Sequence, residues 1–205
     1  MAMFSMRPTR LDQRTAEFVA EHTNSTVERM AGALTWAGDE HVLTVLALGW
    51  WIYCRNKDAV SRCRSDHILL TTLAATIVPH MIKKRVNQER PDRLTVYGHL
   101  HGVPYSGNKY DAFPSGHALH AGALASAATM VSPLRRNSAW AAISLLVATR
   151  VVLLAHWMSD VAAGFAIGVG LERLMRFATG YGRGRCASDV SDAGAHATGR
   201  RVRSN

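Results

Sequence analysis

The sequence predicts an all-α fold, a multi-pass membrane helical bundle, on three observations. Five apolar stretches recur along the chain of 205 residues, at 42–54, 68–82, 118–131, 138–157 and 161–170. No strand-like alternation and no repeat of 20–50 residues competes with this helical pattern. Lys and Arg are concentrated at 55–64, at 132–138 and after residue 170, segments that all fall on one side if the stretches span a bilayer.

The stretch 138–157 is the strongest candidate for a spanning helix. It carries a single charged residue, Arg150, and reaches the roughly 20 residues that a bilayer requires. The other stretches are shorter and, taken alone, would also fit a soluble helical core. In the last stretch Gly164 and Gly168 lie four residues apart, a spacing that lets helices pack closely in lipid.

The two ends of the chain differ from the middle. Residues 15–37 are predicted to be helical, with Val27, Met30 and Leu34 on one face, but several charged side chains make a deep span costly. We therefore predict that residues 1–40 form an amphipathic helical segment, at the interface or shielded by the bundle, rather than a free-standing span. Residues 41–178 form the predicted membrane domain, and residues 179–205 a basic disordered tail.

The net charge of +9 suits nucleic acid, an anionic membrane face or a phosphorylated substrate. Because Lys and Arg mark cytoplasmic segments, we expect the basic segments in the cytoplasm. The opposite helix ends would then face the periplasm or exterior, as in a protein of a bacterial inner membrane. We expect membrane lipids as partners and no nucleic acid.

The segment FPSGH, residues 113–117, begins an Ala-rich helix with polar residues. Ser115 is a good N-cap residue, and Gly116 lets another group approach the backbone closely. Free N–H groups at a helix start favour anions, and His117 would lie beside a bound anion. The alternative is an ordinary polar helix end.

Two further groups are predicted to lie on the same side of the membrane. Lys83 and Arg90 are seven residues apart, so they share one face if the helix continues to Pro91, and two cations suit a phosphate dianion. Arg150 is an expensive charge within an apolar helix. His156 and Asp160 are at i and i+4, so the carboxylate could accept the ring N–H and fix the tautomer.

These residues form three blocks that resemble the type 2 phosphatidic acid phosphatase family, whose superfamily also includes bacterial acid phosphatases and vanadium haloperoxidases. The blocks are K-x6-RP from Lys83 to Pro91, PSGH from Pro114 to His117, and [ST]R-x5-H-x3-D from Thr149 to Asp160. Thr149 stands where the family more often has serine. The family's membrane members usually have six helices, which implies a bundle of about six helices here, the first at 15–37.

The resemblance implies a role for each residue. His156 would be the nucleophile, activated by Asp160, and His117 would be the general acid. The phosphate oxygens would be held by Lys83, Arg90 and Arg150, together with Ser115 and the Gly116 N–H. Water would then hydrolyse the phosphohistidine, with no metal and no other cofactor. The substrate would be a lipid phosphate monoester or diphosphate.

Three other functions remain to be weighed. A vanadium haloperoxidase would use the same pocket, but the short chain and the membrane segments argue against it. A metal-dependent membrane hydrolase could use the cluster His99, His101, His117 and His120, with Asp111 as a nearby carboxylate, but it leaves the three cations unexplained. A non-enzymatic lipid-phosphate-binding protein would not need the His156–Asp160 pair. Phosphatidate, phosphatidylglycerophosphate, a polyprenyl phosphate or diphosphate and lipid A all remain candidate substrates.

Overall fold

The computed structural model describes residues 4–91, 108–129 and 133–181, and the described residues form seven α-helices and one two-stranded parallel sheet. The helices are α1 (Arg10–His22), α2 (Ser25–Trp36), α3 (Glu40–Cys54), α4 (Ala59–Lys83), α5 (Gly116–Ala128), α6 (Pro133–Val152) and α7 (Met158–Thr179). The strands β1 (Phe4–Ser5) and β2 (Val86–Asn87) pair in the register Phe4↔Val86. The predicted helical fold is therefore confirmed, and the short sheet is an addition.

Each of the five apolar stretches overlaps one of the helices α3 to α7. The helix expected at 15–37 is instead two helices, because Asn24 interrupts it and caps α2 by accepting hydrogen bonds from the N–H groups of Thr26 and Val27. The prediction for 138–157 is wrong at its end. The helix stops at Val152, and Leu154 has a φ of 52° in the following loop.

Local capping explains where several helices begin. The Thr9 hydroxyl and the Asp12 carboxylate form a reciprocal capping box at the start of α1. Asp39 accepts the His41 N–H at 2.9 Å at the start of α3, and Asp58 accepts the Ser61 N–H at 3.0 Å at the start of α4. These acidic caps also lie where the helix dipole favours negative charge.

Helices α5 and α7 pack closely along glycines. A Cβ atom at Gly168 would overlap the Leu119 carbonyl of α5, and one at Gly122 would overlap the Phe165 carbonyl of α7. The close packing predicted from the Gly164–Gly168 spacing is confirmed, and Gly122 supplies the matching position on the partner helix.

A buried polar network joins the first half of α4 to the C-terminal parts of α5 and α7. Glu172 accepts hydrogen bonds from the Ser126 hydroxyl at 2.6 Å and from Arg176 Nε at 2.6 Å, and its Oε1 lies 3.0 Å from His67 Nε2. The His67 and Glu172 side chains are fully buried. Every charged group of this network therefore has a hydrogen-bond partner, which a buried charge requires.

Many large apolar side chains nevertheless face outward, among them Val45 (68% exposed) and Leu46 (62%) on α3 and Phe177 (65%) on α7. On the N-terminal helices the expected stripe of Val27, Met30 and Leu34 is also exposed. By length and mean hydropathy, no helix in the described ranges qualifies as a membrane-crossing segment. The predicted tail lies almost entirely outside the described residues.

Candidate active site

The helices bring the predicted site residues together at one end of the bundle. The start of α3, the end of α4, the start of α5 and the end of α6 surround a cavity of about 280 Å³. It is lined by Asp39, Glu40, Pro79, His80, Lys83, Arg90, Asp111, Gly116, His117, Arg150 and His156. Six of the eight residues predicted from the sequence therefore line one cavity. The other two, Ser115 and Asp160, are buried next to lining residues.

Ser115 occupies the N-cap position of α5, as the sequence predicts. Its hydroxyl accepts the Ala118 N–H at 3.4 Å, and its own N–H donates to the Asp160 carbonyl oxygen at 3.3 Å. Since Ser115 is fully buried, the start of α5 is fixed against α7. Gly116 and His117 then face the cavity.

Lys83 and Arg90 converge on the cavity, but not for the expected reason. The helix does not continue to Pro91, because α4 ends at Lys83 and β2 follows. Asp111 brings the two cations together: its Oδ1 lies 2.8 Å from Arg90 Nη2, and its Oδ2 lies 3.8 Å from Lys83 Nζ. Arg90 Nη1 also donates to the Ala155 carbonyl at 3.3 Å, which ties it to the loop that carries His156.

Arg150 enters the cavity from the end of α6 and is only 4% exposed. Its Nη1 donates to the Thr35 hydroxyl at 3.0 Å, while its buried Nε has no hydrogen-bond partner among the described residues. A buried donor without a partner is costly. Arg150 thus lines the cavity while one of its buried donors is left unpaired by the described residues.

His156 is 3% exposed and lies in the loop between α6 and α7. Its Nδ1 lies 2.7 Å from the Ala112 carbonyl oxygen. A carbonyl can only accept, so Nδ1 is the protonated nitrogen and Nε2 holds the lone pair of the neutral ring. Burial, followed by the charges of Arg90, Arg150 and Lys83, lowers the pKa of His156 well below its ordinary value. The ring is therefore neutral and can act as a nucleophile.

The structure corrects the expected contact between His156 and Asp160. Helix α7 begins at Met158, so His156 precedes it and the i to i+4 geometry of a helix does not apply. The ring N–H goes to Ala112 instead. Asp160 is fully buried, and its Oδ2 accepts the Trp157 N–H at 2.9 Å, so it holds the backbone of the residue next to His156.

Sequence reasoning missed the acidic side of the cavity and the contribution of α2. It treats Asp111 only as a carboxylate near the histidine cluster, although Asp111 organises the two cations. Asp39 was detectable as an acidic residue just before an apolar run, the usual signal of a helix start. Thr35 gave no signal, because its contact with Arg150 joins residues 115 positions apart.

The histidine cluster of the metalloenzyme alternative is only partly described. His99 and His101 lie outside the described residues. His120 lies outside the cavity, with its Nδ1 3.1 Å from the Gly116 carbonyl and its Nε2 3.2 Å from the Thr76 hydroxyl. In the described part of the chain, His117 and His120 therefore do not point at a common site.

Comparisons with known proteins identify relatives of this chain. Two curated proteins named lipid A 1-phosphatase, from Rhizobium johnstonii and Rhizobium etli, are each 33% identical to this chain, over 109 and 103 residues. These alignments cover 53% and 50% of this chain but only 45% and 44% of the relatives. The match thus spans less than half the length of the curated relatives.

Two crystal structures share the fold. LpxE from Aquifex aeolicus has a TM-score of 0.61 at 16% identity, covering 82% of this chain and 95% of that one. A transmembrane PAP2 type phosphatidylglycerolphosphate phosphatase from Bacillus subtilis has a TM-score of 0.59 at 19% identity, covering 85% and 87%. The family model of the PAP2 superfamily matches residues 67–181, which include all three sequence blocks. This chain belongs to the PAP2 superfamily.

Proposed function

We propose that this protein is a membrane phosphatase that hydrolyses a lipid phosphate monoester or diphosphate through a phosphohistidine intermediate. The observation that carries the proposal is the geometry around His156. Its Nδ1–H is fixed on a backbone carbonyl, so Nε2 is the free nucleophile. Lys83, Arg90 and Arg150 line the same cavity and supply positive charge for a phosphate.

The first step is attack of His156 Nε2 on phosphorus. The new P–N bond forms as the bond to the leaving-group oxygen breaks, and the three cations stabilise the charge on the phosphoryl oxygens. The N–H groups at the start of α5 add hydrogen bonds. Water then attacks the phosphohistidine, which releases inorganic phosphate and restores the ring.

His117 is the general acid of this scheme. It lines the cavity from the first turn of α5, and a bound phosphate dianion favours its protonated form. Its proton goes to the departing alkoxide oxygen. Asp160 contributes by holding the Trp157 N–H and thereby the loop of His156, rather than by contacting the imidazole ring.

The scheme needs no metal ion and no other cofactor, because fixed cations neutralise the phosphate. Activity should persist in excess EDTA, and vanadate, which mimics five-coordinate phosphorus, should inhibit. A strict requirement for a divalent metal ion would instead support the metal-dependent hydrolase.

We also propose that the protein is a multi-pass protein of a bacterial inner membrane with its site facing the periplasm or exterior. Large apolar side chains of α3, α4 and α7 face outward, where a bilayer would cover them. The cavity lies at one end of the bundle. The connection between α3 and α4, with Arg55 and Lys57, and the first turn of α4, with Arg62, lie at the other end. This is the cytoplasmic end by the positive-inside rule.

An apolar groove beside the cavity supports a substrate with acyl chains. It has a volume of about 240 Å³ and is lined by Leu43, Leu46, Ala47, Trp50, Ile68, Thr72 and Leu124. Leu43 lies one helical turn from Glu40 of the cavity. Thr72 lies seven residues from Pro79, or about 10 Å along α4 at roughly 1.5 Å per residue. An acyl chain attached to a head group in the cavity would therefore need to extend about 10 Å along α4 to reach the groove. Because the curated relatives are named lipid A 1-phosphatase, lipid A 1-phosphate is the first candidate.

The experiment compares two variants on two kinds of substrate in detergent. A leaving group of low pKa departs without protonation, so it removes the need for a general acid but not for a nucleophile. His117→Ala should lose lipid phosphatase activity by roughly 10²–10⁴-fold and recover part of it on p-nitrophenyl phosphate. His156→Ala should be inactive on both. His41→Ala, at an exposed position on α3, is the control and should behave as wild type.

Rapid quenching of the wild type under alkaline conditions, followed by mass spectrometry, should locate an acid-labile phosphoryl group on His156. A label on His117, or two variants that respond alike to the leaving group, would overturn these roles. A wild-type protein that releases phosphate from no lipid phosphate, yet binds these lipids, would support the non-enzymatic alternative.

A further inference from the structure

The carboxylate of Asp12, on helix α1, is buried in contact with the start of helix α7. Its Oδ1 accepts the Ser159 N–H at 2.8 Å, and its Oδ2 accepts the Ser159 hydroxyl at 2.8 Å. Oδ2 also accepts the Thr9 N–H at 2.9 Å and the Thr9 hydroxyl at 2.8 Å. With 2% of its surface exposed, Asp12 makes more hydrogen bonds than a cap of its own helix requires.

These hydrogen bonds hold the C-terminal end of the loop that carries His156, where the loop joins α7. Ser159 is three residues beyond His156 and lies in the first turn of α7, where a negative charge is also favoured by the helix dipole. Burial alone would raise the pKa of Asp12, but the hydrogen bonds from Ser159 and Thr9 outweigh it and lower the pKa. The group is therefore a carboxylate at neutral pH.

Helix α1 also packs against Ala112, the residue that accepts the hydrogen bond of the His156 ring. Ala16 and Ala20 of α1 form a buried cluster with Ala112, Leu154 and Trp157. Ala112 supplies the carbonyl that accepts the His156 ring N–H, and Leu154 and Trp157 belong to the loop itself. The positive φ of Leu154 is unfavourable for a residue with a side chain and persists only where the surroundings hold it.

Strand β1, which precedes α1, is linked to Ala112 through backbone hydrogen bonds of residues 85–88. Phe4 and Met6 donate N–H groups to the carbonyls of Arg85 and Asn87. The next residue, Gln88, accepts the Ala112 N–H at 3.1 Å. The N-terminal segment 4–22 thus contacts both the residue that orients the His156 ring and the loop that carries it.

We propose that segment 4–22 is part of the catalytic apparatus of this chain and that Asp12 is a positioning residue for His156. This inference rests on the proposed function for its kinetic consequence. The segment lies outside residues 67–181, which match the family model. A displacement of reacting groups by about 1 Å can cost roughly 10²-fold in rate, so anchoring the loop from outside the matched region has a measurable effect.

The test compares Asp12→Ala and Asp12→Asn with Glu17→Gln, an acidic residue of the same helix whose side chain is exposed. In the full chain in detergent, Asp12→Ala should lower kcat roughly 10–100-fold with KM within about twofold. The kcat of Asp12→Asn should lie between those of Asp12→Ala and the wild type, because the introduced amide oxygen still accepts the Ser159 N–H. Glu17→Gln should match the wild type. An Asp12→Ala variant with unchanged kcat, or with a change in KM alone, would overturn the proposal.

A second readout does not depend on activity. NMR of histidine-labelled protein, with His156→Gln to assign the signal, should show a neutral Nδ1–H tautomer with a lowered pKa in the wild type. In Asp12→Ala the pKa should move back towards its ordinary value. If the wild type is inactive on every lipid phosphate but this change occurs, the proposed function fails and the positioning role holds. An unaltered His156 signal refutes the positioning role.

If Asp12→Ala does not fold, Ser159→Ala provides the test, because it removes one hydrogen bond and leaves the backbone contact. Its kcat should fall severalfold at a temperature at which the variant is fully folded. The proposal would also be overturned if both Ser159→Ala and Asp12→Asn had the kcat of the wild type.

Discussion

Replacing Asp111 by asparagine should weaken the proposed phosphate site, although the substitution removes a negative charge from it. Asp111 receives two Arg90 donors, Nε at 2.9 Å and Nη2 at 2.8 Å, and lies 3.8 Å from Lys83 Nζ. The introduced asparagine would keep an acceptor oxygen but lose the charge assistance, and its NH₂ group would face a cation. The two side chains that should hold phosphate would then lose their common partner.

The size of the effect follows from the strength of such bonds. A hydrogen bond to a charged group contributes about 1.5–3 kcal/mol. At about 1.4 kcal/mol per tenfold change, kcat/KM should fall roughly 10–150-fold. Phosphate release from a lipid phosphate in detergent measures this loss, and the inhibition constant for vanadate should rise in parallel because the same cations bind it.

Asp66→Asn is the matched control. Asp66 pairs with Arg55 at 2.6 Å near the end of the bundle opposite the cavity, so the same charge change there should leave kcat/KM unchanged. Tighter vanadate binding by Asp111→Asn would refute the reasoning, since Asp111 would then merely oppose the anion. Equal losses in both variants would also refute it, because a general loss of stability would explain them.

Three further predictions concern the packing, the groove and the orientation. Gly168→Ala should cost roughly 1–3 kcal/mol by overpacking against α5, whereas Gly170→Ala, which has open space around it, should be neutral or stabilising; equal melting temperatures would contradict the packing. Leu46→Asn should raise KM for long-chain lipid phosphates but not for short-chain ones. Leu145→Asn, at an exposed position on α6, should change KM for neither class. An equal rise of KM in both variants would exclude a specific groove. A cysteine at Asn108, in a chain freed of its three native cysteines, should react with a membrane-impermeant thiol reagent in intact cells; labelling only after lysis would reverse the orientation.

The sequence alone determined the helical class and most of the candidate site. Apolar stretches of helical length and capping residues such as Asp39 and Ser115 are local signals, and they act within one or two helical turns. Gly116 and His117 line the cavity, as expected, because the helix start itself positions them. Lys83 and Arg90 line the same cavity, although the helix expected to bring them together ends at Lys83.

Only the tertiary structure decided how His156 is held. The ring N–H goes to Ala112, 44 positions away, and the loop is anchored through Asp12, 147 positions from Ser159. The short-range pair His156–Asp160 suggested a different contact because the sequence does not mark where α6 ends and the loop begins. Hydrogen bonds between distant segments depend on how helices pack, and packing is a property of many side chains at once. The residues of the site are therefore readable from local patterns, whereas their partners depend on the assembled bundle.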